Sequence, residues 1–291
     1  MPSLALPERP RRNLVIVRAG DYSLHPQWVA DPQRNFDLLV SYYGAVEGLH
    51  EDSCDLYERR RGPKWPCLGE LLGGHPPLAE RYDAVWLPDD DLAVDTATIT
   101  RMFDLFHAHR LALAQPALTR ESYFTFDTLL QQEGFLLRYM GFVEVMAPIF
   151  SRDALRLCQE SFHHSRIGWG LDFVWPGLID NTDRRRIAVL DATPVWHTRP
   201  VRGGDLYKNH PDADPQEDER RVLAKYGREA SRFYAKYQFF GGVREVRPPW
   251  GQRLALALRA LNAKRRWRRR RRQLLERGIV TSRSGETTGT V

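Results

Sequence analysis

The chain has 291 residues, 42% of them hydrophobic, which is enough for one large α/β domain with a buried core. Its formal charge of +6 is unevenly placed: residues 251–291 hold 12 Lys or Arg against 2 acids, while the first 250 hold 31 against 35. A mildly acidic body excludes a general nucleic-acid-binding surface, and the absence of any run of about 20 apolar residues excludes a membrane-spanning helix.

The three cysteines, Cys54, Cys67 and Cys158, have no metal-ligand spacing and read as reduced thiols in a cytosolic setting. Met1 to Arg12 shows no signal-peptide pattern. Short apolar strands alternating with helical segments predict an α/β fold with a mostly parallel sheet flanked by helices. The first strand, Asn13 to Arg18, runs into Arg18-Ala19-Gly20-Asp21-Tyr22-Ser23. There Arg18, Asp21 and Ser23 offer a cation, a carboxylate and a hydroxyl to a nucleotide, or else make an ordinary Gly-Asp turn. A Gly-x-Gly-x-x-Gly dinucleotide pattern is absent. The second strand, Phe36 to Tyr43, precedes Gly62-Pro63-Lys64-Trp65-Pro66, a rigid loop whose Lys64 can reach a diphosphate or simply pack down.

The third strand, Asp83 to Leu87, stops at Pro88 and releases Asp89, Asp90 and Asp91. Adjacent like charges repel, and a divalent cation would relieve them. In extended chain Asp89 and Asp91 point the same way about 6.6 Å apart, a spacing that suits one ion shared with substrate phosphates. The alternative is a solvated acidic turn.

Ile99, Met102, Phe103 and Phe106 then fall at helical spacing, followed by strands Leu111 to Gln115 and Phe142 to Phe150. A helix capped by Ser151 carries Leu155, Cys158 and Phe162. In Gly168-Trp169-Gly170-Leu171-Asp172, Trp169 and Gly170 can present a stacking surface to a sugar, with Asp172 acting on its hydroxyl; otherwise Trp169 is core and Asp172 a helix cap. A last strand, Ile187 to Leu190, leads to His197, which can complete a metal shell begun by Asp91, and to Arg199, which can grip a phosphate.

Acids from Asp212 to Glu219 open a helix with Leu223, Tyr226, Ala230, Phe233 and Tyr237 on one side. After Gly241-Gly242 and Pro248-Pro249, eight of the nine residues from Lys264 to Arg272 are basic. The division expected is a catalytic domain over 13–240, a basic helix over 251–277 and a disordered tail over 278–291.

The strings VIVRAGDYSLHPQW, FDLLVSYYG, GPKWP, YDAVWLPDDDL, FVEVMAPIF, GWGLD and VWHTRPV, in that order, resemble an uncharacterised family shared by bacteria and plants and known as a domain of unknown function. The resemblance spans Asn13 to Tyr207. That family looks related to glycosyltransferases of the GT-A fold. The resemblance implies a metal-dependent transfer of sugar from a nucleotide-diphosphate sugar, with a UDP-sugar as the class-level donor, to a hydroxyl, with inversion. It places Asp89 and Asp90 at the donor, to which the residues themselves add Arg18, Asp21, Ser23, Lys64 and Arg199 as candidates, although the first-strand segment has no pattern that fixes the base. It puts Mn2+ or Mg2+ on Asp91, Asp89 and His197, the acceptor on Trp169 and Gly170, and the catalytic base at Asp172.

The acceptor expected is a carbohydrate or lipid-linked hydroxyl. The location expected is cytoplasmic, peripheral on the inner face of a membrane through the basic segment, with nucleic acid not a main partner. Two other readings use the same residues: a non-catalytic nucleotide-sugar-binding module, and a haloacid-dehalogenase-like phosphatase with Asp89 and Asp91 at its nucleophile spacing, although Ala93 stands where that class has Thr or Val.

Overall fold

The structure, a computed structural model, describes residues 4, 6–201, 213–227 and 238–245. The basic segment 251–277 and the tail 278–291 lie outside the described residues, as do Ala230, Phe233 and Tyr237.

Ten strands are described: β1 (Asn13–Ala19), β2 (Phe36–Tyr42), β3 (Leu56–Arg59), β4 (Ala84–Trp86), β5 (Leu92–Ala93), β6 (Leu113–Leu118), β7 (Phe135–Met140), β8 (Ile149–Ser151), β9 (Ile187–His197) and β10 (Phe239–Arg244). The helices are α1 (Lys64–Gly74), α2 (Pro77–Glu80), α3 (Thr96–Ala108), α4 (Arg152–Cys158), α5 (Leu171–Leu178) and α6 (Pro215–Lys225). The strand order is β10-β7-β9-β6-β8-β4-β1-β2-β3, with β5 paired to β9 off this path. β1 runs parallel to both β2 and β4, and β2 parallel to β3. β8 then enters antiparallel between β4 and β6, while β9 is parallel to β6 and antiparallel to β7.

β1 is buried along its whole length because both sheet faces are covered. Leu14 and Ile16 join a core with Trp65, Leu68, Leu71 and Leu72 of α1, Leu155 of α4 and Trp175 of α5. Val15 and Val17, one pleat over, join Ile99, Met102, Phe103 and Phe106 of α3. Within residues 1–243 helices thus cover both faces of the sheet. Side-chain caps set several helix starts: Asp95 accepts from Thr98 N, Ser151 from Ala154 N and Asp214 from Gln216 N.

Two expectations change here. The Gly62-to-Pro66 loop is the entry to α1, with Pro63 as its N-cap residue and Pro66 in the first turn, where a missing N–H costs nothing. The strand expected over Phe142 to Phe150 is reduced to Ile149–Ser151. Its earlier part is irregular because its polar groups bond elsewhere: the Val145 and Met146 carbonyls accept from Lys64 Nζ (3.1 and 3.2 Å), and Met146 O also accepts from Asp89 N (2.8 Å). Among the described residues, no helix is long and apolar enough to cross a membrane, and all three cysteines are free thiols.

Candidate functional site

β4 delivers the acidic turn to the carboxyl end of the parallel strands, where open α/β sheets bind ligands. The turn borders a cavity of about 760 Å3, a size that accommodates a small-molecule substrate. Its backbone is pinned from both sides: Leu24 N donates to Asp90 O (2.7 Å), and Thr198 donates through N and Oγ1 to Asp91 O (3.2 and 2.8 Å).

Each of the three carboxylates has its own cation. Lys64 Nζ, at the start of α1, lies 2.6 Å from Asp89 Oδ1. Arg199 Nη1 lies 2.9 Å from Asp90 Oδ1, and Gly20 N donates to Asp90 Oδ2 at 2.8 Å. His197 Nε2 lies 3.2 Å from Asp91 Oδ2. The register brings this last pair together, because β5 pairs Leu92 with His197 and so sets the imidazole beside the preceding aspartate. His197 is therefore the final residue of β9 rather than a loop residue beyond a shorter strand.

Burial raises the Asp90 carboxyl to about 6 against the pull of Arg199. Burial acts the same way on Asp91, but the charge and hydrogen bond of His197 outweigh it and hold the group below the ordinary carboxylate value. On His197 burial pulls down, and Asp91 more than compensates, lifting the imidazole to about 9.

Asp91 and His197 form an ion pair whose donor set is compatible with a divalent ion. His197 Nδ1 lies 2.7 Å from Tyr123 O, which can only accept, so Nδ1 holds the proton and Nε2 turns its remaining site to a carboxylate oxygen. Only a positive species can lie between them, a proton or a metal ion. The 3.2 Å separation is also that of adjacent ligands meeting at a right angle on an ion with bonds of about 2.3 Å. No cluster of three or more His, Cys, Asp or Glu able to hold a metal occurs among the described residues, so an ion here would need substrate oxygens or water to fill its shell. Asp89, expected as a further ligand, is engaged by Lys64.

Lys64 in turn spends its donors on Asp89 and two carbonyls, so it reaches a diphosphate only by exchanging partners. Arg18 lines the cavity but is anchored through Nη1 to Ser41 Oγ (2.7 Å) and through Nη2 to the carbonyls of Arg60 (2.7 Å) and Gly62 (3.0 Å). Its Nε has no partner. Asp21 and Ser23 do not line the cavity. Asp21 accepts from Tyr42 Oη and from Ala45 N, and Ser23 pairs with His25 Nδ1 at 2.7 Å, so both brace the β1 turn from behind.

The Gly168-to-Asp172 segment divides in the same way. Trp169 lines the cavity; Gly170 and Asp172 do not. Gly170 has φ +94°, and a Cβ there would stand 3.1 Å from the Glu219 backbone, so the turn presses against α6. Asp172 follows in the first turn of α5, where its carboxylate accepts from Phe173 N (3.1 Å). Burial first, then the charges of Glu144 and Glu219, push this carboxyl well above its ordinary value. That places it off the cavity wall and in the interior.

Another carboxyl, that of Glu144 in the irregular stretch before β8, stands apart from it. Glu144 lines the cavity at 8% exposure, and its Oε2 is buried without a hydrogen-bond partner. Burial raises it to about 7, against the opposing effects of the His197 charge and a hydrogen bond from Thr125. Tyr43, Arg61 and Thr125 also line the cavity; nothing in their sequence neighbourhoods marks them.

Residues 136–239 match the model of a family described as "Protein of unknown function (DUF707)", a stretch that holds Glu144, Trp169, His197 and Arg199 but not the acidic turn. No curated protein matches the sequence. Among solved structures, residues 1–349 of S. aureus TarS in complex with UDP-GlcNAc superpose with a TM-score of 0.51 at 11% identity, over 78% of this chain and 68% of that one. GalNAc-T7 with UDP, GalNAc and Mn2+ superposes with a TM-score of 0.52 at 10% identity, over 75% of this chain and 48% of that one. This chain thus spans about half of GalNAc-T7. The fold is that of the GT-A nucleotide-diphospho-sugar transferases.

Proposed function

We propose that the protein is a metal-dependent glycosyltransferase that moves a sugar from a nucleoside-diphosphate sugar, with UDP as the first nucleotide to test, onto an acceptor hydroxyl with inversion. The observation that carries this reading is that one cavity is lined both by the acidic turn with its Asp91–His197 pair and by the buried carboxyl of Glu144. The neighbours crystallised with UDP-GlcNAc or with UDP and Mn2+ support the same donor class and a divalent ion. The haloacid-dehalogenase alternative loses its premise with this fold.

In this mechanism the Glu144 carboxylate takes the proton of the acceptor hydroxyl. The acceptor oxygen bonds to the anomeric carbon as the bond from that carbon to the diphosphate oxygen breaks, and the nucleoside diphosphate leaves with the electron pair. Asp91 and His197 would hold a divalent ion, which supplies Lewis-acid neutralisation of the diphosphate when bound. Arg61 and Arg199 add positive charge to the same wall.

The test is a thermal-shift and calorimetric screen of UDP-sugars on the full chain, in Mn2+ and in EDTA. A donor at 100 times its dissociation constant should add about 2.7 kcal/mol of stability in Mn2+, and little in EDTA. Equal nucleotide affinity in the two buffers would rule out metal-dependent donor binding, and binding without transfer or hydrolysis would favour the non-catalytic module.

A further inference from the structure

We infer that Gln115 is the positioning residue for Glu144: its buried side-chain amide, which lies off the cavity wall, fixes the irregular stretch that carries Glu144. This rests on the reading of Glu144 as the base and adds the residue that places it.

The observation starts in β6. Gln115 is fully buried, and the residues on its side of the strand, Leu113 and Ala117, join an apolar core with Phe142 and Val143. A polar group buried there without partners costs about 1–3 kcal/mol, so an apolar side chain would serve packing better. The neighbouring chain shows what the amide is for. β8 pairs with β6 at Leu113–Phe150 and Ala114–Ile149, and the residues before Ile149 have left the sheet. Backbone groups that leave a sheet inside a core need other partners. Gln115 Oε1 supplies one by accepting from Glu144 N, while its Nε2 donates to Pro116 O at 3.3 Å.

The rest of the stretch is also held by residues outside it. Val145 O and Met146 O accept from Lys64 Nζ, and Met146 O also from Asp89 N. Ala147 O accepts from Trp86 Nε1 (3.1 Å) and Pro148 O from Leu87 N (2.9 Å). All of these bonds seize carbonyls and come from α1, β4 and the acidic turn. The bond from Gln115 comes from β6 and holds the amide of Glu144 itself. Gln115 is not among the residues lining the cavity, so its influence on a bound substrate passes through the Glu144 backbone.

The experiment compares the parent, Gln115→Met, Glu144→Gln and the double variant, all as full chains; methionine keeps the side-chain length and has no accepting oxygen. The Glu144 amide of the parent should be protected from hydrogen exchange. In Gln115→Met its exchange should rise by about tenfold or more, the scale of one buried hydrogen bond, with the amides of β1 unchanged. Turnover is read as hydrolysis of UDP-GlcNAc and UDP-glucose in Mn2+, water standing in for the acceptor. Gln115→Met should lower kcat by about tenfold or more and leave the UDP affinity measured by calorimetry unchanged. In the Glu144→Gln background the same substitution should lower kcat no further, because a residue that acts through Glu144 then has nothing to position.

A Glu144 amide that is unprotected in the parent, or that exchanges equally fast in Gln115→Met, overturns the inference. So does a loss of kcat that adds to that of Glu144→Gln, which would make Gln115 a residue of the fold alone. If neither sugar nucleotide is turned over, or Glu144→Gln turns them over like the parent, the reading of Glu144 as the base falls and the exchange data decide the placement by themselves. Should Gln115→Met fail to fold, Gln115→Glu takes its place in the exchange measurement: it keeps an accepting oxygen and should keep the Glu144 amide protected, and loss of that protection counts against the inference.

Discussion

Glu144 and Asp172 are both buried, and what separates them is that Glu144 lines the cavity while Asp172 does not. Glu144→Gln keeps the shape of the side chain but cannot accept a proton, so transfer should slow by about 100-fold or more with donor affinity retained; Asp172→Asn should bind donor normally and lose less. Because the Glu144 carboxyl is raised to about 7, the parent's transfer rate should climb with pH through that value as the base ionises, and steady-state rates from pH 5 to 9 will show whether it does. Stability should run the other way. A folded value of about 7 against an ordinary 4.5 means the folded chain binds this proton more tightly than the unfolded chain, so the stabilisation is complete below 4.5 and is lost as pH rises through 7. The Glu144→Gln variant lacks this loss. Its unfolding free energy relative to the parent should therefore grow by on the order of 3 kcal/mol between pH 4.5 and 8, as read from urea denaturation at each pH; a flat difference would mean that Glu144 is not held as a neutral acid. At the acidic turn, Asp91→Asn should abolish metal-dependent UDP binding and His197→Ala weaken it, checked by calorimetry in Mn2+.

At the scale of elements, the contact between α6 and the Gly170 turn is sensitive to a single methyl group. Gly170 combines φ +94° with a Glu219 backbone 3.1 Å from where a Cβ would stand, so Gly170→Ala should cost about 1–3 kcal/mol and displace α6. Thermal unfolding measures the first, and faster proteolysis near residues 213–227 the second. The same elements show what the sequence could convey. β1, β2 and α3 were legible because their signals are local: unbroken apolar runs for strands covered on both faces, and apolar residues at helical spacing for α3. α1 was not, because prolines on either side of Lys64 and Trp65 read as a loop although a helix tolerates them in its first turn. Residues 142–148 looked like a strand by hydrophobicity, and what excludes them from the sheet is bonding to Lys64 and Asp89 that no local pattern announces. The site divides the same way. An Asp-Asp-Asp at a strand end stands out, since like charges need a reason to be adjacent. Which cation serves which carboxylate depends on residues 25 to 109 positions away and is not legible.

For the whole molecule, the segment past Val243 raises a separate expectation. Eight basic residues between Lys264 and Arg272 would be drawn to anionic lipid headgroups by about 1 kcal/mol each near the surface, which motivates the proposal that the protein works at the inner face of a membrane. Truncation after Pro249 should abolish sedimentation with anionic vesicles at low salt and leave UDP binding unchanged; a full-length chain that ignores such vesicles would end this proposal. The bonds of Asp90 carry a different consequence, one of time. This carboxylate joins Gly20, 70 residues earlier, to Arg199, 109 residues later, and Asp91 O is bonded by Thr198, 107 residues on. Contacts between such distant parts of a chain close slowly and late, after their loop entropy has been met. A half-folded chain has no donor pocket to offer, so on refolding from urea the capacity to bind UDP should appear with the slowest phase, well after helical signal has returned, making the nucleotide a clock for completion of the native sheet.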